Sequence, residues 1–179
     1  MNKKYTMSID AETSGLWGQP FAIAATVYDE QGNIFDLFLG RLPDSYVTNE
    51  WVRDNVLPTL FEMEVTHEVP FDLYKDFSDF YLKYKDESNI ICHMGYIVES
   101  YLFRIIKNFG LIGEWDAPYP LYDISAMLHL KGEDDTSVDT YITKYQLQLG
   151  KYAEAYSTHN PLYDCEVSFR VYEHLMKNK

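Results

Sequence analysis

Residues 8–16 read Ser8-Ile-Asp-Ala-Glu-Thr-Ser-Gly-Leu16. On a β-strand successive side chains alternate between faces, so Asp10 and Glu12 share one face while Ile9 and Ala11 take the other. Two carboxylates then stand side by side at the end of an otherwise apolar strand. Like charges this close cost free energy unless one is protonated or a cation lies between them. Hard carboxylate oxygens suit Mg²⁺ or Mn²⁺. An Asp-x-Glu pair also fits the solvated face of an edge strand, so its meaning depends on what the rest of the chain brings to it.

Around this stretch the first third reads as strands at residues 5–10, 21–29 and 33–42, rich in β-branched and aromatic residues. Asp29-Glu-Gln-Gly32 is a hairpin turn signal between the second and third. From about Val47 the period changes, and Leu73, Phe77, Phe80, Tyr81 and Tyr84 mark one apolar stripe of a helix. Residues 89–93 read as a short buried strand, and 98–108 as a helix stopped by Gly110. A Pro118 to Pro120 loop precedes a short strand at 121–124, and two helices are expected at 138–149 and 161–177. Strands first, then strand and helix in alternation, predict a mixed α/β sheet covered by helices. The charged loop 131–135 is too brief for a domain linker, so one domain over residues 1–179 is expected.

Composition narrows the function. With 46% hydrophobic residues, 16 Tyr and 10 Phe the chain can fill a sizeable core, which excludes disorder, collagen and coiled coil. Fifteen basic against 28 acidic residues give a net charge of −13, which disfavours a basic-patch nucleic-acid binder. The same charge permits a phosphate substrate if cations held by carboxylates attract it. Cys92 and Cys165 stand apart with no C-x-x-C spacing, which reads as reduced structural thiols. No apolar stretch has signal-peptide or membrane-span length, and a cytoplasmic protein without membrane partners is expected.

The second constellation is His159-Asn-Pro-Leu-Tyr-Asp164. Pro161 suits the first position of a helix, which leaves His159 before the helix and Asp164 within its first two turns. Val167, Val171 and Leu175 form the stripe that packs this helix on the sheet, so an early acid can reach over the strand ends. An imidazole can take a proton near neutral pH, its unperturbed pKa being about 6.5. A histidine flanking a surface helix is the simpler account of His159 taken by itself.

Taken together, Asp10-Ala-Glu-Thr-Ser-Gly-Leu16 and His159-x4-Asp164 resemble the first and third motifs of the DnaQ-like, DEDDh family of 3′-to-5′ exonucleases, the group that includes RNase T and oligoribonuclease. The resemblance spans nearly the whole chain, and Leu121-Tyr-Asp-Ile-Ser125 is similar to the Asp-containing segment that precedes the third motif. It implies a ribonuclease-H-like mixed sheet of five strands flanked by helices and two divalent cations, Mg²⁺ or Mn²⁺. It also implies hydrolysis that releases nucleoside monophosphates from the 3′ end of a single-stranded RNA or DNA. Asp10, Glu12 and Asp164 would hold the metals and His159 would be the general base. Thr13, Leu16 and Trp17 would contact the substrate, the last two stacking on or wedging beside terminal bases, while a place for Trp17 in the core fits the sequence equally well. Some members of the family are homodimers, and the tyrosines between Tyr141 and Tyr156 fit either an interface or a core.

The middle motif departs from the family's His-Asn-x-x-Phe-Asp followed by an apolar pair. Here the segment is Cys92-His-Met-Gly-Tyr-Ile-Val-Glu-Ser-Tyr-Leu-Phe103. Aligned rigidly from His93, the acidic position falls on Val98. Aligned by Leu102-Phe103 after a turn one residue longer, it falls on Glu99. The second alignment is preferred, since a glutamate opening an apolar helix can reach a metal or its water, although the helix dipole favours an acid there in any case. The competing reading is a catalytically degenerate module of the same fold that binds nucleic-acid ends or a protein partner.

Overall fold

The computed structural model describes residues 3–177; residues 1–2 and 178–179, included in the expected 1–179 domain, lie outside the described residues. Five strands form one sheet in the order β3-β2-β1-β4-β5. They are β1 (Tyr5–Thr13), β2 (Pro20–Tyr28), β3 (Ile34–Arg41), β4 (Ser88–Cys92) and β5 (Leu121–Asp123). The first three pair antiparallel, whereas β4 joins β1 and β5 joins β4 in parallel. The hairpin from β2 to β3 turns where the sequence signals it: Asp29 Oδ1 accepts the Gln31 and Asn33 N–H groups, and Gly32 takes a φ of +79°.

Period-2 alternation in β1 decides which side is core and which side is site. Tyr5, Met7, Ile9 and Ala11 bury against one helical layer, and Asp10 and Glu12 face the other way. That layer contains α2 (Pro70–Tyr84) and α3 (Val98–Asn108), with Leu73, Tyr74, Phe77, Tyr81, Leu102, Phe103 and Ile106 buried. Among the described residues no side chain caps α2, but Pro70 supplies a preset first φ. Its buried aliphatic and aromatic side chains, each worth about 1.5–3 kcal/mol, hold it. On the opposite face α7 (Pro161–Lys177) crosses β1, β2 and β4 and buries Cys165, Val167, Phe169, Val171 and Leu175. Phe169 stacks on Tyr28 of β2.

Four short helices were not expected from the periodicity or were misjudged in length. One is α1 (Glu50–Asn55), whose first turn is capped by Asn49 Oδ1 accepting the Val52 N–H. Another is α4 (Ile124–Leu130), capped by Asp123. The expected helix over 138–149 is instead α5 (Val138–Tyr145) followed by α6 (Lys151–Ala155). Gln146 adopts a left-handed conformation and ends α5, while the buried Glu166 carboxylate accepts the N–H groups of Tyr152 and Ala153 and starts α6. Among the tyrosines left open by the sequence, Tyr141 is buried, while Tyr145, Tyr152 and Tyr156 are partly or largely exposed. Among the described residues no helix is long and apolar enough to cross a membrane.

Candidate functional site

Two elements, β1 and α7, deliver the clustered acidic side chains. β4 pairs with β1 only from Tyr5 to Ser8, so the far end of β1, with Asp10 and Glu12, projects past its parallel neighbour. On its other side β1 loses regular register with β2 at Glu12/Thr13, where Thr13 pairs with Pro20. Above this strand end the first turn of α7 begins. Asn160 caps it by accepting the Leu162 N–H at 3.1 Å, and Pro161 takes the first helical position. Asp164 lies one turn in, and its Oδ2 accepts the His159 N–H at 2.9 Å.

The result is a cluster. Asp10, Glu12 and Asp164 each offer a carboxylate oxygen within 4.8 Å of the others. The Asp10 Oδ2 atom is buried and has no hydrogen-bond partner among the described residues. Burial pushes Asp10 up to about 7. Burial, then the Asp10 and Glu99 charges, hold Glu12 well above the usual carboxylate range. Burial followed by Asp10 and Glu12 does the same to Asp164. A donor set of hard oxygens, one left without a partner, in mutual repulsion fits divalent cations.

Glu99 is not one of the clustered three, yet it belongs to the same electrostatic unit. In the first turn of α3 it is buried to 2% exposure. Its carboxylate is raised by burial and next by the Asp10 charge, and it accepts a hydrogen bond from the Ala11 backbone. Gly95 makes room for it: a Cβ there would come within 2.2 Å of Cys92 Sγ and 3.2 Å of Glu99 Oε2. The Gly95 N–H donates to Asp123 Oδ2 at 3.0 Å, tying the turn before α3 to β5. Val98, the other occupant considered for this position, packs against the core.

His159 completes the arrangement, with Nδ1 4.0 Å from Glu12 Oε1. Its ring meets the exposed Trp51 of α1 edge-on, centroids 5.6 Å apart. Trp51 was not singled out in the sequence, where the short α1 is too brief to leave a periodic stripe. Leu16 and Trp17 are 60% and 70% exposed, so neither is spent on the core. Thr13 is buried, and its hydroxyl donates to the Gly15 carbonyl, which shapes the turn carrying Leu16 and Trp17. Ser14 Oγ accepts the Thr48 and Asn49 N–H groups and docks that turn on the start of α1.

Fold and site together define a ribonuclease-H-like α/β sheet with an acidic cluster at the end of its central strands. The chain matches no protein-family model and no curated relative. It is similar to the solved structure of exonuclease X in complex with 5′ overhanging duplex DNA, at 16% sequence identity and a TM-score of 0.62. The similarity covers 97% of this chain and 92% of that one. What the two chains share at that identity is the fold.

The raised acids make stability depend on pH and metal. A carboxyl whose pKa rises on folding binds more protons in the native than in the unfolded state, so its contribution is full below the unfolded value of about 4 and is lost as pH climbs through the folded one. For Asp10 that window runs from about 4 to about 7. With chelator present, the melting temperature should therefore fall as pH rises across this window. Mg²⁺ or Mn²⁺ should remove most of the decline, because cation charge replaces the protons. Scanning calorimetry over a pH series checks this; a chelated protein equally stable at both ends would mean that the cluster is not under charge stress.

Proposed function

We propose that the protein is a metal-dependent 3′-to-5′ exonuclease of the DEDDh type that removes nucleoside monophosphates from single-stranded nucleic acid. The observation that carries this reading is the convergence of Asp10, Glu12 and Asp164, two from a strand end and one from a helix 152 or more residues later, on one partly buried point. The fold shared with exonuclease X supports it. Asp10, Glu12 and Asp164 would hold two divalent cations, which when bound supply charge neutralisation and Lewis-acid activation of water and of the departing 3′ oxygen.

The remaining work belongs to the chain's own residues. His159, held toward Glu12, accepts the proton of the attacking water. Glu99 adds negative charge behind Asp10 and Glu12 and so favours a second cation over one. Leu16, Trp17 and Trp51 present exposed apolar faces near the cluster, suited to stacking on bases without reading their sequence. The two buried free cysteines fit a reducing, cytoplasmic setting.

A digestion of 5′-labelled single-stranded RNA and DNA with Mg²⁺, Mn²⁺ or chelator tests the proposal. The label should remain on a ladder of shortening products, and chelator should stop the reaction. Early release of label as a mononucleotide would reverse the polarity, and binding without cleavage under all metals would leave a degenerate end-binding module. His159→Ala should lower the rate roughly 10²–10⁴-fold, the usual size of general-base catalysis, with metal affinity retained. Lost metal affinity with an unchanged rate at saturating metal would instead make His159 a ligand.

A further inference from the structure

His159 holds a backbone conformation that residues with a side chain seldom adopt: its φ is +69°, in the left-handed region. A non-glycine residue stays there only when its surroundings over-determine it. Two sets of bonds do so. Its N–H donates to Asp164 Oδ2, and its carbonyl accepts the Thr59 hydroxyl at 2.7 Å, from a residue 100 positions earlier in the chain. The Thr59 carbonyl in turn accepts Asn160 Nδ2 at 3.1 Å, and Asn160 is only 2% exposed. Side chain and backbone are thus exchanged reciprocally between Thr59 and the His159-Asn160 pair.

Thr59 can act as an anchor because its own segment is fixed. It lies in the 3-10 turn Leu57–Leu60, where the buried Arg41 guanidinium donates to the carbonyls of Leu60 at 2.6 Å and Met63 at 2.7 Å. Arg41 ends β3, so the restraint runs from the sheet through this turn to the residue beside the acidic cluster. The Thr59 hydroxyl also lies 2.9 Å from the Val56 carbonyl, but the His159 carbonyl is the nearer acceptor.

We propose that Thr59, paired with Asn160, is a positioning residue for His159, locking the left-handed backbone that carries the imidazole to the Glu12 side of the cluster. The inference rests on the proposed function in taking His159 as the proton acceptor. Backbone φ fixes the direction of the Cα–Cβ bond, so relaxation of His159 to negative φ would swing its ring away from Glu12. Displacement of a catalytic group by about 1 Å can cost about 10²-fold in rate. Thr59 touches no reacting atom in this account; it acts only through His159.

The test is a double-mutant cycle with 5′-labelled oligonucleotide and Mn²⁺, together with amide hydrogen exchange at His159. Thr59→Val keeps the shape and removes the hydroxyl. It should lower kcat about tenfold to a hundredfold with KM and Mn²⁺ affinity unchanged, lose nothing further in a His159→Ala background, and speed exchange of the His159 amide. Thr59→Ser, which restores the donor, should return to wild-type behaviour. An equal loss in both backgrounds would assign Thr59 to general support of the fold and overturn the proposal, as would an unchanged rate or unchanged exchange. If His159→Ala itself kept the full rate, the proposed role of His159 would fall. The exchange measurement would then still decide whether Thr59 restrains it.

Discussion

Asp10→Asn and Asp164→Asn should each abolish metal-dependent cleavage; Asp10→Asn should leave the chelated protein more stable than wild type above about pH 7, and Asp164→Asn should do the same once the pH passes the raised range of its own carboxyl. The two effects have one cause. Asp10 and Asp164 are raised first by burial and then, for Asp164, by Asp10 and Glu12, so in the absence of a cation every ionised member of the cluster opposes folding. An amide removes one charge. If it is left unpaired, as Asp10 Oδ2 is now, it costs about 1–3 kcal/mol, less than an uncompensated buried charge in the company of like charges. The catalytic loss should exceed the roughly 10–100-fold typical of removing an outer partner of a metal ligand, since here the ligand itself is changed. Cleavage rates at saturating Mn²⁺ and melting curves in chelator measure both arms. A variant that cleaves at the wild-type rate would remove Asp10 or Asp164 from the site, and one that melts lower in chelator would show that the pair is held by something other than a missing cation.

How much of this was legible in the sequence follows from where each signal comes from. The strands and the helices α2, α3 and α7 were readable because their apolar residues repeat over many positions: the α3 and α7 bounds, Val98–Asn108 and Pro161–Lys177, agree with the expected ranges. The same logic failed where an element is shorter than two turns. Helix α1 carries one buried residue, Val52, and α6 carries one, Ala153; neither can express a period. The start of α6 depends on Glu166, a residue 11 positions beyond the end of that helix, whose buried carboxylate no local pattern announces. At the site, Asp10, Glu12, His159 and Asp164 stood out because their spacing within each segment is short and follows strand and helix geometry. Trp51, Thr59 and Asn160 did not, because their meaning lies in contacts spanning about a hundred residues.

Glu99→Gln should cut the cleavage rate by orders of magnitude at saturating Mg²⁺, and Val98→Asp should fail to raise it. Val98 opens α3 and packs against the core, so a carboxylate there would enter apolar surroundings and cost stability without reaching the cluster. Glu99 is buried, its charge raises Glu12, and the Asp10 charge raises Glu99 in turn. The Gln substitution is a discriminating probe, because the side-chain carbonyl of glutamine can still accept the Ala11 N–H that the glutamate accepts now. The local fold therefore keeps its hydrogen bond, and what disappears is one negative charge of the four around the site. If that charge serves to hold or orient a second cation, its loss should weaken the binding of one metal and leave the other, which titration of Mn²⁺ by calorimetry or electron paramagnetic resonance would count. If Glu99 serves only to satisfy Ala11, Glu99→Gln should bind and cleave as wild type does, and it should melt higher in chelator for the reason given for Asp10. A gain of activity in Val98→Asp would favour the rigid alignment from His93 and with it a natural site short of one carboxylate.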